Sequence, residues 1–158
     1  MRDLFLLLGR LFPPLIASIK FGQQWRLGKG IFADDRSSLN RFMLRQCIIT
    51  LKSGEHALLD DLLSDSFNIV GFNIDVDPLV SQQNTEFLRS PIKTLNLGVH
   101  GQGVDEAGAL RRWADDNQIA IAVLRPDKQI YGLCYQNITK SLDEQLADLL
   151  SQLKTQLT

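Results

Sequence analysis

Cysteine is nearly absent from this chain: Cys47 and Cys134 are the only two, far apart and without CxxC spacing. Such a count excludes a disulfide framework and a cysteine-rich zinc site. Both thiols read as small buried apolar groups in a reducing compartment. Histidine is equally scarce, and neither His56 nor His100 stands at a metal-ligand spacing from a carboxylate. Both read as surface or loop residues. An excess of one charge is also missing, since 17 Lys and Arg face 18 Asp and Glu for a net charge of −1. Neither nucleic acid nor an anionic membrane surface is favoured by that balance, and no run of basic residues alternates with aromatics.

Long apolar runs are lacking too. Leu4 to Leu8 and Leu11 to Ile19 are apolar, but Arg10 and Pro13-Pro14 interrupt them. Neither piece approaches the roughly 20 residues that a membrane-spanning helix needs. Met1-Arg2-Asp3 carries no net side-chain charge and no small-residue cleavage site follows, so a signal peptide is not expected. The expectation is a soluble, cytoplasmic protein with no nucleic-acid or membrane partner.

What remains is ordinary for a globular protein, with 44% hydrophobic and 22% charged residues. The 158 residues suffice for one domain with a core and an added arm. Residues 1–40 are read as that arm or linker and residues 41–158 as the domain. The arm joins an apolar helical segment and a double proline to Gly22, Gly28 and Gly30, then to a loop-like stretch from Ala33 to Ser38. Its apolar surface has no second element of its own to cover it. It is therefore expected to pack on a neighbouring domain or subunit.

From about residue 44 the pattern is regular. Strands are expected at Gln46–Leu51, Phe67–Ile74, Thr94–Val99, Ile119–Leu124 and Gln129–Tyr135. A helix is expected from Pro78 through Leu88, with proline suited to its first turn. Asp105 is expected to cap a helix carrying Ala107, Leu110 and Trp113 and ending near Asn117. Ile119–Leu124 is continuously apolar, as a central strand buried on both faces would be. Arg125-Pro126-Asp127-Lys128 has turn chemistry. Ser141 and Glu144 form a capping box for a final helix with leucines at 142, 146, 149, 150, 153 and 157 on one face. The order β, β, α, β, α, β, β, α predicts an α/β fold, a mixed sheet flanked by helices.

The segment from Val123 through Arg125-Pro126-Asp127 to Gly132 resembles an element near the C-terminus of class A FAD-dependent aromatic hydroxylases. These are the 3-(3-hydroxyphenyl)propionate hydroxylase and phenol hydroxylase relatives. Leu59-Asp60-Asp61, Phe67 to Gly71 and Asp77-Pro78 are similar to the earlier half of the same thioredoxin-like domain. Ser64 and Gln129 stand where the family tends to have a glycine and an aromatic. The resemblance implies that Asp60, Asp61, Arg125, Pro126, Asp127 and Gly132 are structural signature residues. It also implies that FAD, NAD(P)H and the aromatic substrate belong to the preceding domains of a parent enzyme. No catalytic, cofactor-binding or metal residue is carried over, and this chain alone is expected to be inactive. It would be a fragment of a larger chain or a separate truncated product.

Sharper readings of single motifs fare worse. A redox member of the fold places CxxC where this chain has Asp75-Val76-Asp77-Pro78, and a cis-proline where it has Asn117-Gln118. Gly101-Gln102-Gly103 lacks the third glycine of a dinucleotide loop and runs into Asp105-Glu106, so a flexible turn is expected there. Asp60-Asp61 and Asp75 with Asp77 lack the remaining oxygen ligands of a calcium loop. Asp127 reads as a turn residue, while Arg125 either pairs with a carboxylate of a neighbouring domain or is solvated. Two functions follow. The first is an association and docking domain that meets a flavoprotein domain or forms a homodimer. The alternative is a free-standing interaction module on a thioredoxin scaffold without redox activity.

Overall fold

Ile119–Leu124 (β6) is buried at every position, because it lies inside the sheet and side chains from both flanking layers close on it. A computed structural model describes residues 30–34 and 39–158, and β6 is the best-covered strand in it. The other strands are Ile48–Leu51 (β1), His56–Leu58 (β2), Asn68–Phe72 (β3), Lys93–Leu97 (β4), Gly103–Asp105 (β5) and Ile130–Tyr135 (β7). The helices are Leu59–Leu62 (α1), Asp77–Ser81 (α2), Ala109–Asp116 (α3) and Leu142–Leu157 (α4). The strands form one seven-stranded mixed sheet in the order β2-β1-β5-β4-β3-β6-β7. Pairs β3–β4 and β4–β5 are parallel, and the rest are antiparallel.

Strand alternation divides the core into two layers. Val70, Phe72, Leu95, Leu97, Ala122 and Leu124 pack toward α3, whose Leu110 and Ala114 are buried among them. Ile69, Ile121, Val123, Tyr131 and Cys134 face the other way, onto Leu146, Leu149, Leu150 and Leu153 of α4. The start of α4 is fixed by the expected capping box. The Glu144 amide donates to the Ser141 hydroxyl, and the Ser141 amide donates to the Glu144 carboxylate. A parallel β3–α2–β4 unit followed by the β6–β7 hairpin and α4 makes the fold thioredoxin-like.

Several local expectations are corrected. The helix from Pro78 ends at Ser81 instead of reaching Leu88. Polar turn chemistry interrupts it there: the Asn84 carboxamide accepts from the Glu86 amide, and Gln83 reaches across to Asp143. The turn expected at Gly101–Gly103 is present at Gly101 and Gln102, but Gly103 already belongs to β5, paired to both Leu51 and Leu97. A Cβ on Gly103 would stand 2.5 Å from Ile49 Cγ2, so this strand passes only without a side chain. Strand β2 and helix α1 were not foreseen, and at three and four residues neither is long enough to show a period. Asp105 caps its helix from a distance. It sits on β5 and accepts from the amides of Leu110 and Arg111. Trp113 is half-buried, edge-on to Phe72 with ring centroids 6.1 Å apart.

The outer edge of β7 is covered by the chain that precedes β1. The Ala33 amide donates to Tyr131 O at 3.0 Å, while Arg41, Phe42 and Leu44 exchange backbone bonds with Ile130 and Lys128. Phe32 and Ala33 are buried. The apolar residues Leu4 to Ile19 and the expectation that they pack on a neighbouring body lie outside the described residues.

Candidate functional site

Three places could hold chemistry: the ends of the parallel strands, the glycine turn after β4, and the Arg125 turn. Ligands of open α/β sheets bind outside the carboxyl ends of parallel strands. Here a cleft of about 410 Å³ lies at that end of β3 and β4, lined by Lys52, Asn73, Asp75, Asp77, Asn96 and His100 among others. Its polar floor is already committed. Buried Asn96 accepts from the Val76 amide at 3.0 Å and donates to Asp75 Oδ1 at 2.9 Å and Asp77 Oδ2 at 3.3 Å. Lys52 Nζ donates to the His100 carbonyl at 3.3 Å. Asn96 therefore clasps the loop that follows β3, and the carboxylates of Asp75 and Asp77 act as acceptors in that clasp. No group of three or more metal-ligating side chains is found among the described residues.

Cys47 and Cys134 lie away from this cleft, on the approach to β1 and in β7. Partial burial, with help from the carboxylates of Asp105 and Asp60, pushes the Cys47 thiol up from 9.0 to about 11. A thiol so placed is protonated at neutral pH and is a poor nucleophile. Iodoacetamide is expected to label Cys47 much more slowly in the native chain than in urea at neutral pH, read by mass spectrometry. The folded chain also holds this proton more tightly than the unfolded chain does. Its contribution to stability is complete below pH 9 and is lost as the pH rises toward 11.

The glycine turn does not fit a dinucleotide. Its amides are turned inward: Gly101 N donates to Gly98 O at 2.9 Å and Gln102 N to Asn96 O at 2.6 Å. The Gly101 and Gln102 amides are thus unavailable to a pyrophosphate, and the acidic residues Asp105 and Glu106 follow closely. The residues present therefore do not suit FAD or NAD(P)H binding at this loop.

The signature residues fall into three groups in space. Asp60 and Asp61 occupy the first turn of α1, where carboxylates favour a helix N-terminus. Gly132 sits in β7 beneath Leu149 of α4, where an added Cβ would stand 2.6 Å from Leu149 Cδ2. Arg125, Pro126 and Asp127 form the β6–β7 turn, closed by Arg125 N to Gln129 O at 2.8 Å. Arg125 is not simply solvated, and within this chain its carboxylate partner is Asp127. Its guanidinium bonds Asp127 Oδ2 at 2.9 Å and Ile31 O at 3.2 Å, and lies 4.7 Å from the Phe32 ring centroid. Arg41 approaches the same ring at 5.4 Å. Arg125 thus clamps residues 31–32 against the domain. No periodicity in the sequence could have paired residues so far apart. Arg125→Ala is expected to cost about 1 kcal/mol, because the ion pair is partly exposed and the cation–π contact is modest. Hydrogen exchange at the Ala33 amide should accelerate.

The two histidines are not brought together by any contact. His56 is exposed on β2 near Thr50 and Glu106, and His100 lies in the turn beside the cleft. An apolar face is also left open. Ile48 of β1 pairs with Leu58 of β2, and Thr50 pairs with Val104 of β5. Ile48, Leu58 and Val104 are 48%, 46% and 38% exposed.

Comparison with known proteins follows from this geometry. A family model described as the HcaD C-terminal domain matches residues 42–152. No curated protein sequence matches the chain. Among solved structures, aklavinone-11 hydroxylase in a ternary complex with FAD and aklavinone is similar at 14% identity and TM-score 0.62, covering 94% of this chain and 31% of that one. OxyS anhydrotetracycline hydroxylase from Streptomyces rimosus is similar at 16% identity and TM-score 0.53, covering 96% and 28%. The flavin-dependent monooxygenase PieE, in complex with FAD and substrate, is similar at 17% identity and TM-score 0.50, covering 84% and 25%. At such identities the likeness is one of fold, and the chain spans about a quarter to a third of each of these proteins. None of the described helices is long and apolar enough to cross a membrane. With its sheet, its β6–β7 turn and most of its length accounted for by one model, the chain belongs to the HcaD C-terminal domain family.

Proposed function

We propose that this chain is an association and docking domain without bond-making chemistry of its own. It would serve an FAD- and NAD(P)H-dependent hydroxylase of aromatic rings in the cytoplasm. The observation that carries this reading is the commitment of polar groups in the places where the fold could work. The Asn96 clasp takes up the loop after β3, and the Gly101 and Gln102 amides are taken up by the chain's own carbonyls. Family membership and the FAD-bound hydroxylases of similar fold support the parent reaction. Residues 41–158 would be the docking body, with residues 1–40 leading into it from the flavoprotein side.

The open face at Ile48, Leu58 and Val104 supports the docking role, since apolar patches on sheets mark contact surfaces. It equally favours a free-standing interaction module, and the mass of the chain in solution shows only whether a second copy covers the face. The test of the chemistry is an assay with purified chain, added FAD, NADPH, oxygen and a phenol. NADPH consumption is expected to equal that of free FAD without protein. Consumption that scales with the amount of chain would overturn the proposal.

A further inference from the structure

A second cleft, of about 300 Å³, opens at the opposite end of the sheet from the polar one. Phe67, Phe87, Leu88, Pro126 and Leu157 give it apolar walls, with Arg89 and Asp65 at its polar margins. Leu157 ends the leucine stripe of α4 and is 42% exposed, whereas Leu146 and Leu153 on the same stripe are fully buried. The wall is continuous with the core, because Phe67 meets Tyr131 edge-on with centroids 6.4 Å apart.

The direction of the clamped segment leads to this cleft. The Asp34 amide bonds the Gln152 side chain, and Phe32 O accepts from Gln156 one turn further along α4. Ile31 O and Gly30 then meet Arg125, whose neighbour Pro126 lines the cleft. Followed toward the N-terminus, the chain therefore runs along α4 to its last turn and reaches Gly30 beside the cleft mouth. Ile31, 37% exposed, lies on this same path. Residues Lys20 to Lys29 separate Gly30 from the apolar stretch, and ten residues span at most about 35 Å when extended.

We propose that the apolar segment Leu4 to Ile19 of this same chain docks in the cleft formed by Phe67, Phe87, Leu88, Pro126 and Leu157. Apolar side chains of the segment meet apolar walls, and both surfaces leave water. The tether decides the occupant. A short covalent connection sets an effective concentration on the order of mM, far above that of a second copy at micromolar protein. The segment thus completes the α4 side of its own domain. This holds whether or not the domain also docks on a flavoprotein.

The test uses the full chain with the photo-reactive residue p-benzoylphenylalanine at position 157, irradiated at micromolar concentration. The expected product is a cross-link within one chain, mapped by mass spectrometry to residues 4–19. The same residue at position 138, beyond the other end of α4, should give none. Leu8→Asp combined with Leu11→Asp should lower the yield at position 157 by about tenfold. A cross-link joining two chains, a cross-link mapping elsewhere, or no cross-link to residues 4–19 would each overturn the proposal.

Discussion

Gly132→Val is expected to destabilise the chain by about 3 kcal/mol, at the upper end for overpacking a filled core. A Cβ at this position would stand 2.6 Å from Leu149 Cδ2, 3.2 Å from Leu149 Cδ1 and 3.1 Å from Ala33 Cβ. Leu149 is itself buried and has no open space to move into. The added branch must push α4 off the sheet or lift the clamped segment from the edge of β7. Thermal unfolding followed by circular dichroism should show a fall of about 10 °C for a domain of this size. Gly132→Ala should lose about half as much, since a single methyl meets the ends of one leucine and the Ala33 methyl without the added branches of valine. If valine left the transition unchanged, the close packing of α4 on β7 described above would be wrong.

Asn96→Ala should have the second-largest effect, about 2 kcal/mol. The side chain is buried and makes three hydrogen bonds, two to the loop between β3 and α2 and one to Asp77 at the start of α2. Truncation leaves the amide of fully buried Val76 without an acceptor, and an orphaned buried donor costs about 1–3 kcal/mol. Asn96→Asp separates the two halves of the clasp. It keeps an acceptor for Val76 but sets a third carboxylate against Asp75 and Asp77, so it should be at least as harmful at neutral pH. Urea titrations of the three proteins measure this order. An Asn96→Asp variant as stable as the parent would show that the carboxylates of Asp75 and Asp77 do not face Asn96 as described.

The features legible in the sequence are those with a long period or a fixed spacing. β6 announces itself through six consecutive apolar residues, and its ends match the expected ones at both Ile119 and Leu124. The capping box at Ser141 and Glu144 and the leucines of α4 are equally plain. Short elements escaped because three or four residues contain no period, as with β2, α1 and β5. The glycine turn misled for a physical reason. Glycine marks flexibility and close approach alike, and at Gly103 the close approach to Ile49 is what counts. Asn96 offered no signal at all, because its partners stand about twenty residues earlier and meet it only through the parallel pairing of β3 and β4. The role of Arg125 was likewise invisible. Its partner Ile31 is 94 residues away, and only the folded chain brings the two together.

Under the proposed function this domain docks and leaves the flavin to the parent enzyme. The measurement that tests it most directly is the absorbance spectrum of the purified chain, taken together with its mass in solution. A colourless protein is predicted, with a dimer mass assigning the open face at Ile48, Leu58 and Val104 to a second copy and a monomer mass leaving it for the flavoprotein. A yellow protein retaining one flavin per chain through gel filtration would contradict the claim, because the cofactor would then be held by residues whose polar groups are described here as already paired.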